Sequence, residues 1–238
     1  MTRFDLHLHS ALSACAENSL SPRRIVRRAR QAGVSLLALT DHNASGNVPP
    51  AIEAGRQVGV EVVPGLELTT REEVHVLVFF DALEPLVDWQ AVVDAALPAL
   101  ENRPAVFGYQ VLYDAADEII GVDDRLRQVG VSLGLEAITE AVHARGGAVI
   151  PAHVLRPRHS LVSQLGFIDP SASYDALELG RRDWCRRGCR LGERLEGFPV
   201  LTGSDTHCLE DVGATWLEID AAVHTISGLL EAVRRMAA

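Results

Sequence analysis

Lysine is missing entirely from this chain of 238 residues, and all 22 basic side chains are arginine. That gap removes several chemistries at once. No Schiff base can form on lysine, no Walker-type lysine can hold a nucleotide's phosphates, and no carboxylated lysine can bridge two metal ions. Long apolar runs are missing too. No stretch of roughly eighteen apolar residues occurs, which excludes a membrane-spanning helix. The first apolar segment is interrupted by Arg3, Asp5, His7 and His9, so it does not read as a secretory leader. Cysteine is scarce. Cys15, Cys185, Cys189 and Cys208 show no disulfide framework and read as free thiols of a reducing compartment. These absences predict a soluble, cytoplasmic protein with no membrane partner. Positive charge is also outnumbered: the net charge of −10 argues against a broad phosphate-backbone footprint. Nucleic acid is therefore not the expected partner; a small phosphorylated substrate is, with a nucleotide left open. An anionic substrate stays open, because bound divalent cations would reverse the sign locally.

What is present is apolar sequence in short, regular pieces. At 47% hydrophobic, the chain can bury a full core without disulfides. Residues 3–9, 34–40, 61–63, 74–80, 148–152, 176–179, 200–203 and 215–219 read as strands. Helices are predicted over 22–32, 50–58, 86–100, 135–145, 182–195 and 226–236. The first of these has Ser21 as N-cap, Pro22 at its first position and Gly33 at its close. Residues 105–113 and 119–122 suggest a hairpin turning at 114–118, within a small insertion around 83–133. Strand–helix alternation predicts one α/β domain over 1–238 with a mostly parallel, closed or nearly closed sheet.

Most of the nine histidines are not scattered. His7 and His9, Asp41 and His42, Glu67, His153, and Asp205 and His207 all follow apolar runs, while His75 lies in the β-branched run 74–80. The ends of successive strands are where α/β folds assemble active sites from separate loops. His7-x-His9 places two imidazoles on one face of a strand, and Asp205-x-His207 repeats the alternation late in the chain. Imidazole and carboxylate are ligands of Zn²⁺, Mn²⁺ and Fe²⁺, and so rich a cluster implies more than one ion.

The motifs Asp5-Leu-His7-Leu-His9-Ser, Thr40-Asp41-His42-Asn, Pro64-Gly-Leu-Glu67, Glu73-Val-His75, Pro151-Ala-His153 and Gly203-Ser-Asp205-Thr-His207 occur in order from end to end. In them the chain resembles the PHP (polymerase and histidinol phosphatase) superfamily of metal-dependent phosphoesterases. The resemblance implies a distorted (β/α)7 barrel with two or three divalent ions at the C-terminal face of its strands. It implies that His7, His9, Glu67 and Asp205 hold one ion, that Glu67 bridges to a second held by His75 and His153, and that His42 and His207 hold a third. The third site departs from the family's pattern, in which an Asp or His follows the first motif by five or six residues. Ala14 and Cys15 stand there, so either Cys15 or Glu17 is left to complete the site, or neither does. Sulfur would favour Zn²⁺ or Fe²⁺ over Mn²⁺.

Two ions bridged by a carboxylate generate hydroxide at neutral pH and clamp phosphoryl oxygens during in-line attack. Asp41 is a candidate to orient His42 or to assist proton transfer, set against plain loop capping. Arg156 and Arg158 are candidates to grip a phosphate, and His159 to protonate a leaving group. His143 and His224 read as structural. Cys185 and Cys189 have no partner suited to a zinc site.

The expected activity is hydrolysis of a small phosphomonoester. The alternatives are a phosphodiesterase or exonuclease acting on nucleotides or oligonucleotide ends, an amidohydrolase, and a metal-binding domain without catalysis. The amidohydrolase reading is weakened by the missing bridging lysine.

Overall fold

The first strand, β1 (Thr2–Leu8), is buried along nearly its whole length, as a central strand covered on both faces must be. The computed structural model describes residues 1–236. Next comes α1 (Pro22–Gln31), where the Ser21 hydroxyl accepts the Arg24 N–H and Ile25, Val26 and Ala29 face the core. Then follow β2 (Leu36–Leu39), α2 (Val48–Val58), β3 (Glu61–Val63), β4 (Gly65–Thr69) and β5 (His75–Phe79). The insertion supplies α3 (Leu83–Ala96), the single turn α4 (Pro104–Phe107), and the hairpin β6 (Val111–Tyr113) and β7 (Ile119–Val122). Alternation then resumes with α5 (Leu135–His143), β8 (Ala148–Pro151), α6 (Leu161–Leu165), β9 (Leu177–Glu178) and α7 (Arg181–Arg187). The described chain closes with β10 (Arg194–Leu195), β11 (Phe198–Leu201), β12 (Leu217–Ile219) and α8 (Ile226–Met236).

The mixed α/β class matches the expectation, but a closed barrel is not shown. The strands divide into sheets ordered β12-β1-β2-β3, β4-β5-β8, β10-β11-β9 and β6-β7, and none closes. Nor is the pairing mostly parallel. Among the strand pairs of the described residues, only β1–β2, β2–β3 and β9–β11 are parallel; β4–β5 and β5–β8 run antiparallel. For β4–β5 the reason is connection length. Pro64 alone separates β3 from β4, and β4 turns into β5 through the Thr70 N–H to Val74 carbonyl bond. A parallel crossover needs about a dozen residues or more.

Two further expectations shift. The predicted helix over 182–195 stops at Gly188, whose φ of 63° is left-handed, and the chain turns into β10. The first arm of the predicted hairpin is shorter than expected, because residues 104–107 form α4.

Strand alternation sorts the core into two faces. Leu66 and Leu68 of β4, with Val76 and Val78 of β5, join the layer that meets α1, α2, α3 and α5. Leu77 and Phe79 point the other way, with Phe4, Leu36 and Ile150, towards Ile226, Leu229 and Leu230 of α8. Glu67 sits opposite Leu77 in the register, so its carboxylate enters this second, interior face. Isolated parallel bridges, Leu8 with Thr206 and His42 with Glu67, connect the sheets at that point.

Candidate metal centre

Glu67 is the pivot. The sequence placed it beyond a strand end; the structure puts it inside β4, 1% exposed. Its two oxygens face different imidazoles. Oε1 lies 2.9 Å from His75 Nδ1, 3.4 Å from His153 Nε2 and 3.5 Å from His7 Nε2. Oε2 lies 3.0 Å from His42 Nδ1 and 3.4 Å from His9 Nε2. Asp205 Oδ1 completes the array at 3.4 Å from His7 Nε2 and 3.2 Å from His9 Nε2. Ligand atoms of His7, His9 and Glu67, of His42, Glu67 and His75, and of His9, His42 and His207 each lie within 4.8 Å of one another.

Despite these distances, both Glu67 oxygens, Nδ1 of His42 and of His75, and both ring nitrogens of His153 are buried without a hydrogen-bond partner. Buried polar atoms in folded proteins are nearly always paired. Lone pairs that converge without bonding one another fit cations between them, and the imidazole–carboxylate set suits Zn²⁺, Mn²⁺ or Fe²⁺. The residues present therefore fit a multinuclear divalent site.

Outer partners fix the rings. Both Glu178 oxygens lie 3.0 Å from His7 Nδ1, so that nitrogen donates and Nε2 faces Glu67, Asp205 and, at 3.3 Å, His9 Nε2. Oε2 of Glu178 also accepts the His153 N–H at 2.9 Å. The Ser13 hydroxyl donates to Asp41 at 2.6 Å, so His9 Nδ1, 3.0 Å from Ser13 Oγ, acts as donor and its Nε2 likewise faces Glu67 and Asp205. His207 Nδ1 donates to the Asp205 carbonyl at 2.8 Å. Asp41 accepts from Ser10 N–H (2.7 Å), Ser10 Oγ (2.5 Å) and Ser13 Oγ. It steadies His9 through Ser13 and makes no bond to the His42 ring, contrary to the expected partnership. Sequence reading missed Glu178 and Ser13. The signal for Glu178 was a carboxylate inside the apolar run 176–179; Gly203 is a second trace, since a Cβ there would lie 2.6 Å from both Glu178 Oε1 and His7 Cβ.

The charges are strongly coupled. Burial opposes protonation of His7, but Glu178, Glu67 and Asp205 outweigh it and raise its pKa well above 6.5. His42 is raised to about 10 against burial, mainly by Glu67. Burial lowers His9 to about 3 and His75 to about 4, in spite of their carboxylate neighbours. Despite burial, the surrounding imidazoles hold Glu67 and Asp205 far below the carboxylate range, His75 and His7 contributing most respectively. The candidate ligands His153 and Asp205, together with Asn43 and His159, adopt left-handed φ of 32° to 55°. Such strain concentrates where surrounding structure enforces it.

A cavity of about 470 Å³ opens onto the centre, lined by Cys15, His42, His75, Arg156, His159, Asp205 and His207. The Cys15 thiol is raised by burial but lowered more by hydrogen bonds to His207 and His42, to about 7. Glu17 is not brought to the centre; its exposed carboxylate accepts from Ser19 Oγ and Leu209 N–H, both at 3.3 Å. Arg156 reaches the cavity and pairs with Asp205 Oδ2 at 3.1 Å. Arg158 is exposed and does not line it. His159 stacks on His75 with ring centroids 4.7 Å apart. The insertion forms a wall through Gln128, Val129 and Gly130. Asn43 pins that wall by donating to the carbonyls of Arg127 (2.6 Å) and Val129 (2.9 Å). His143 and His224 pair with Asp175 and Glu61, away from the centre, as expected of structural side chains.

Comparison with known proteins places this centre in a family. The PHP domain model matches residues 5–123, and the PHP-associated model matches residues 184–237. The chain belongs to the PHP family. It is similar to a 5'-3' exoribonuclease of Haemophilus influenzae, 37% identical over 35% of this chain and 31% of that protein. It is also similar to a 3',5'-nucleoside bisphosphate phosphatase of Chromobacterium violaceum, 34% identical over 36% of this chain and 30% of that protein. The matched stretch thus spans about a third of these relatives. In fold it resembles the lesion-specific endonuclease of Pyrococcus furiosus, with a TM-score of 0.65 and 17% identity over 98% of this chain and 56% of that one. Among the described residues no helix is long and apolar enough to cross a membrane.

Proposed function

We propose that this chain, as one domain over residues 1–238, is a metal-dependent phosphoesterase that hydrolyses a phosphomonoester small enough at its reacting end to enter the 470 Å³ cavity. The observation that carries this reading is Glu67, a buried carboxylate whose oxygens are divided between two sets of imidazoles. His7, His9, Glu67 and Asp205 would hold one ion, and Glu67, His75 and His153 a second. His42 and His207, with Cys15 rather than Glu17, would hold a third. Bound ions supply charge neutralisation for the phosphoryl oxygens and acidify water at neutral pH.

The chain's own groups do the rest. Arg156, at the cavity wall, offers its remaining N–H groups to a phosphoryl oxygen. His159, stacked beside His75, delivers a proton to the departing alcohol. Asp41 acts through Ser13, holding the His9 ring in the tautomer that presents Nε2. Arg158, which does not line the cavity, has no part in gripping the reacting phosphate.

A second reading, hydrolysis of a phosphodiester at the end of a nucleotide or oligonucleotide, is favoured by the exoribonuclease relative. Metal content by mass spectrometry, combined with a screen of phosphomonoesters, phosphodiesters and amides, separates the readings. Monoester turnover with at least two equivalents of metal supports the proposal; diester turnover alone overturns it. Stoichiometric metal without turnover of any substrate would mark a non-catalytic domain.

A further inference from the structure

The net charge of −10 is an average over two unlike surfaces. Residues 181–194 contain six of the 22 arginines and only two of the 32 acidic side chains, Asp183 and Glu193, so this stretch carries +4 and the rest of the chain −14. All six arginines are exposed. Arg186 pairs with Asp183 at 2.9 Å, and Arg194 donates to the Gly197 carbonyl at 2.6 Å. Among the described residues Arg181, Arg182, Arg187 and Arg190 form no ion pair. Trp184, Cys189 and Leu191 pack on the core, which turns the arginines outward. An ordinary solvated helix face mixes signs at i and i+4; here Arg182 and Arg186 repel across one turn. That arrangement leaves Arg181, Arg182, Arg187 and Arg190 available to an external anion.

Its position matters as much as its charge. Val154 N–H donates to the Glu178 carbonyl at 2.9 Å, and His153 N–H to the Glu178 carboxylate at 2.9 Å. The loop carrying Arg156 and Arg158 and the segment entering α7 therefore leave the sheets side by side. Gly180, the N-cap of α7, approaches so closely that a Cβ there would touch His153 Cβ at 3.6 Å. The arginine face thus begins at the rim of the metal centre. None of the exposed large apolar side chains lies within 181–194, so nothing there would insert into a lipid surface. Planar guanidiniums suit phosphodiester oxygens, and a cavity of about 470 Å³ has room for the end of one strand.

We propose that Arg181, Arg182, Arg187 and Arg190 form a track for the backbone of a single-stranded polynucleotide, leading its terminal phosphate past Arg158 to Arg156 and the metal centre. The proposal rests on the phosphomonoesterase reading and gives that reaction its substrate class. DNA and RNA share the chemistry the track recognises.

The test uses the metal-loaded full chain and 5'-phosphorylated 12-mers of DNA and RNA with phosphorothioate linkages. Binding is followed by fluorescence anisotropy across a salt series. Replacing the four track arginines by glutamine should weaken 12-mer binding at least tenfold at low salt. It should also reduce the slope of log affinity against log salt by about 3, at about 0.7 per lost phosphate contact on a single strand. Turnover of p-nitrophenyl phosphate by the same variant should stay within twofold of wild type. A charge-matched control, with Arg24, Arg27, Arg28 and Arg30 of α1 replaced by glutamine, should bind as wild type does. Equal losses in the two variants, or an unchanged salt slope, overturns the track. So does track-dependent binding to anionic phosphatidylserine vesicles or to an acidic peptide that matches binding to the 12-mers. If wild type binds the 12-mers through the track yet cleaves no phosphomonoester, the catalytic reading fails and the track stands.

Discussion

Replacing Glu178 by glutamine tests the architecture of the centre more directly than replacing any ligand. The native carboxylate faces His7 Nδ1 with both oxygens at 3.0 Å and holds the His153 N–H at 2.9 Å, all in a nearly dry interior. Glutamine keeps the shape and one acceptor, at the position of Oε2, for both donors; it removes the charge. A charge-assisted bond exceeds a neutral one by about 1–1.5 kcal/mol. At 1.4 kcal/mol per decade that is about a tenfold loss of metal affinity, within the range of about 10–100-fold typical of such outer partners. Glu178→Ala should cost about 100-fold, because the His153 N–H is also left unpaired. Competition with a chelator of known affinity measures both. The pH dependence adds a second check. Glu178 is the leading group raising the His7 pKa against burial, so the glutamine variant also suffers less proton competition at His7. Its affinity deficit should therefore grow as pH rises. A glutamine variant within twofold of wild type at all pH values, or an alanine variant no worse than glutamine, would refute the role assigned to Glu178.

Other outcomes follow from the same geometry. Arg156→Ala should raise KM for a phosphomonoester about tenfold, whereas Arg158→Ala should leave turnover of a small substrate unchanged; steady-state kinetics on both variants decides. Gly203→Ala forces its Cβ against Glu178 and His7 at 2.6 Å, which should destabilise the fold by about 1–3 kcal/mol and deplete bound metal, read by urea denaturation and mass spectrometry. Burial raises Asp5 to about 6 from 3.8, so the folded state binds its proton more tightly and chelated protein should lose stability as pH rises from 3.8 to 6. Asp5→Asn should remove that slope and be more stable at pH 7.5 by up to about 3 kcal/mol, the difference vanishing below pH 4; parallel stability curves would contradict this.

The candidate ligands were legible because imidazoles and carboxylates at the ends of apolar runs are chemically conspicuous, and the structure brings His7, His9, His42, His75, His153, Asp205 and His207 together. Glu178 was not legible. Its meaning depends on His7, 171 positions away, and a single carboxylate within a short strand has many possible explanations. Glu17 misled for the opposite reason: nearness in sequence to His9 placed it beside the site, while the turn at residues 13–20 carries its side chain outward. The open, mixed sheets were partly readable. Pro64 as the sole link between β3 and β4 already forbids a crossover, but strand composition does not report direction. Gly188 likewise breaks a helix that arginine content alone would have extended.

The centre draws on sheets that hardly pair with one another. His7 belongs to β1 and His9 follows its end, Glu67 and His75 belong to β4 and β5, and Glu178 to β9, with Asp205 beyond β11. Leu8–Thr206 and His42–Glu67 are the isolated bridges spanning those seams. Ions seated there would act as rivets in the fold as well as agents of chemistry. Chelation should then ease the seams apart while each sheet keeps its own ladder, so that amide hydrogens at residues 8, 42, 67 and 206 exchange sooner than those inside β5. In such a molecule the supply of metal governs cohesion and activity together.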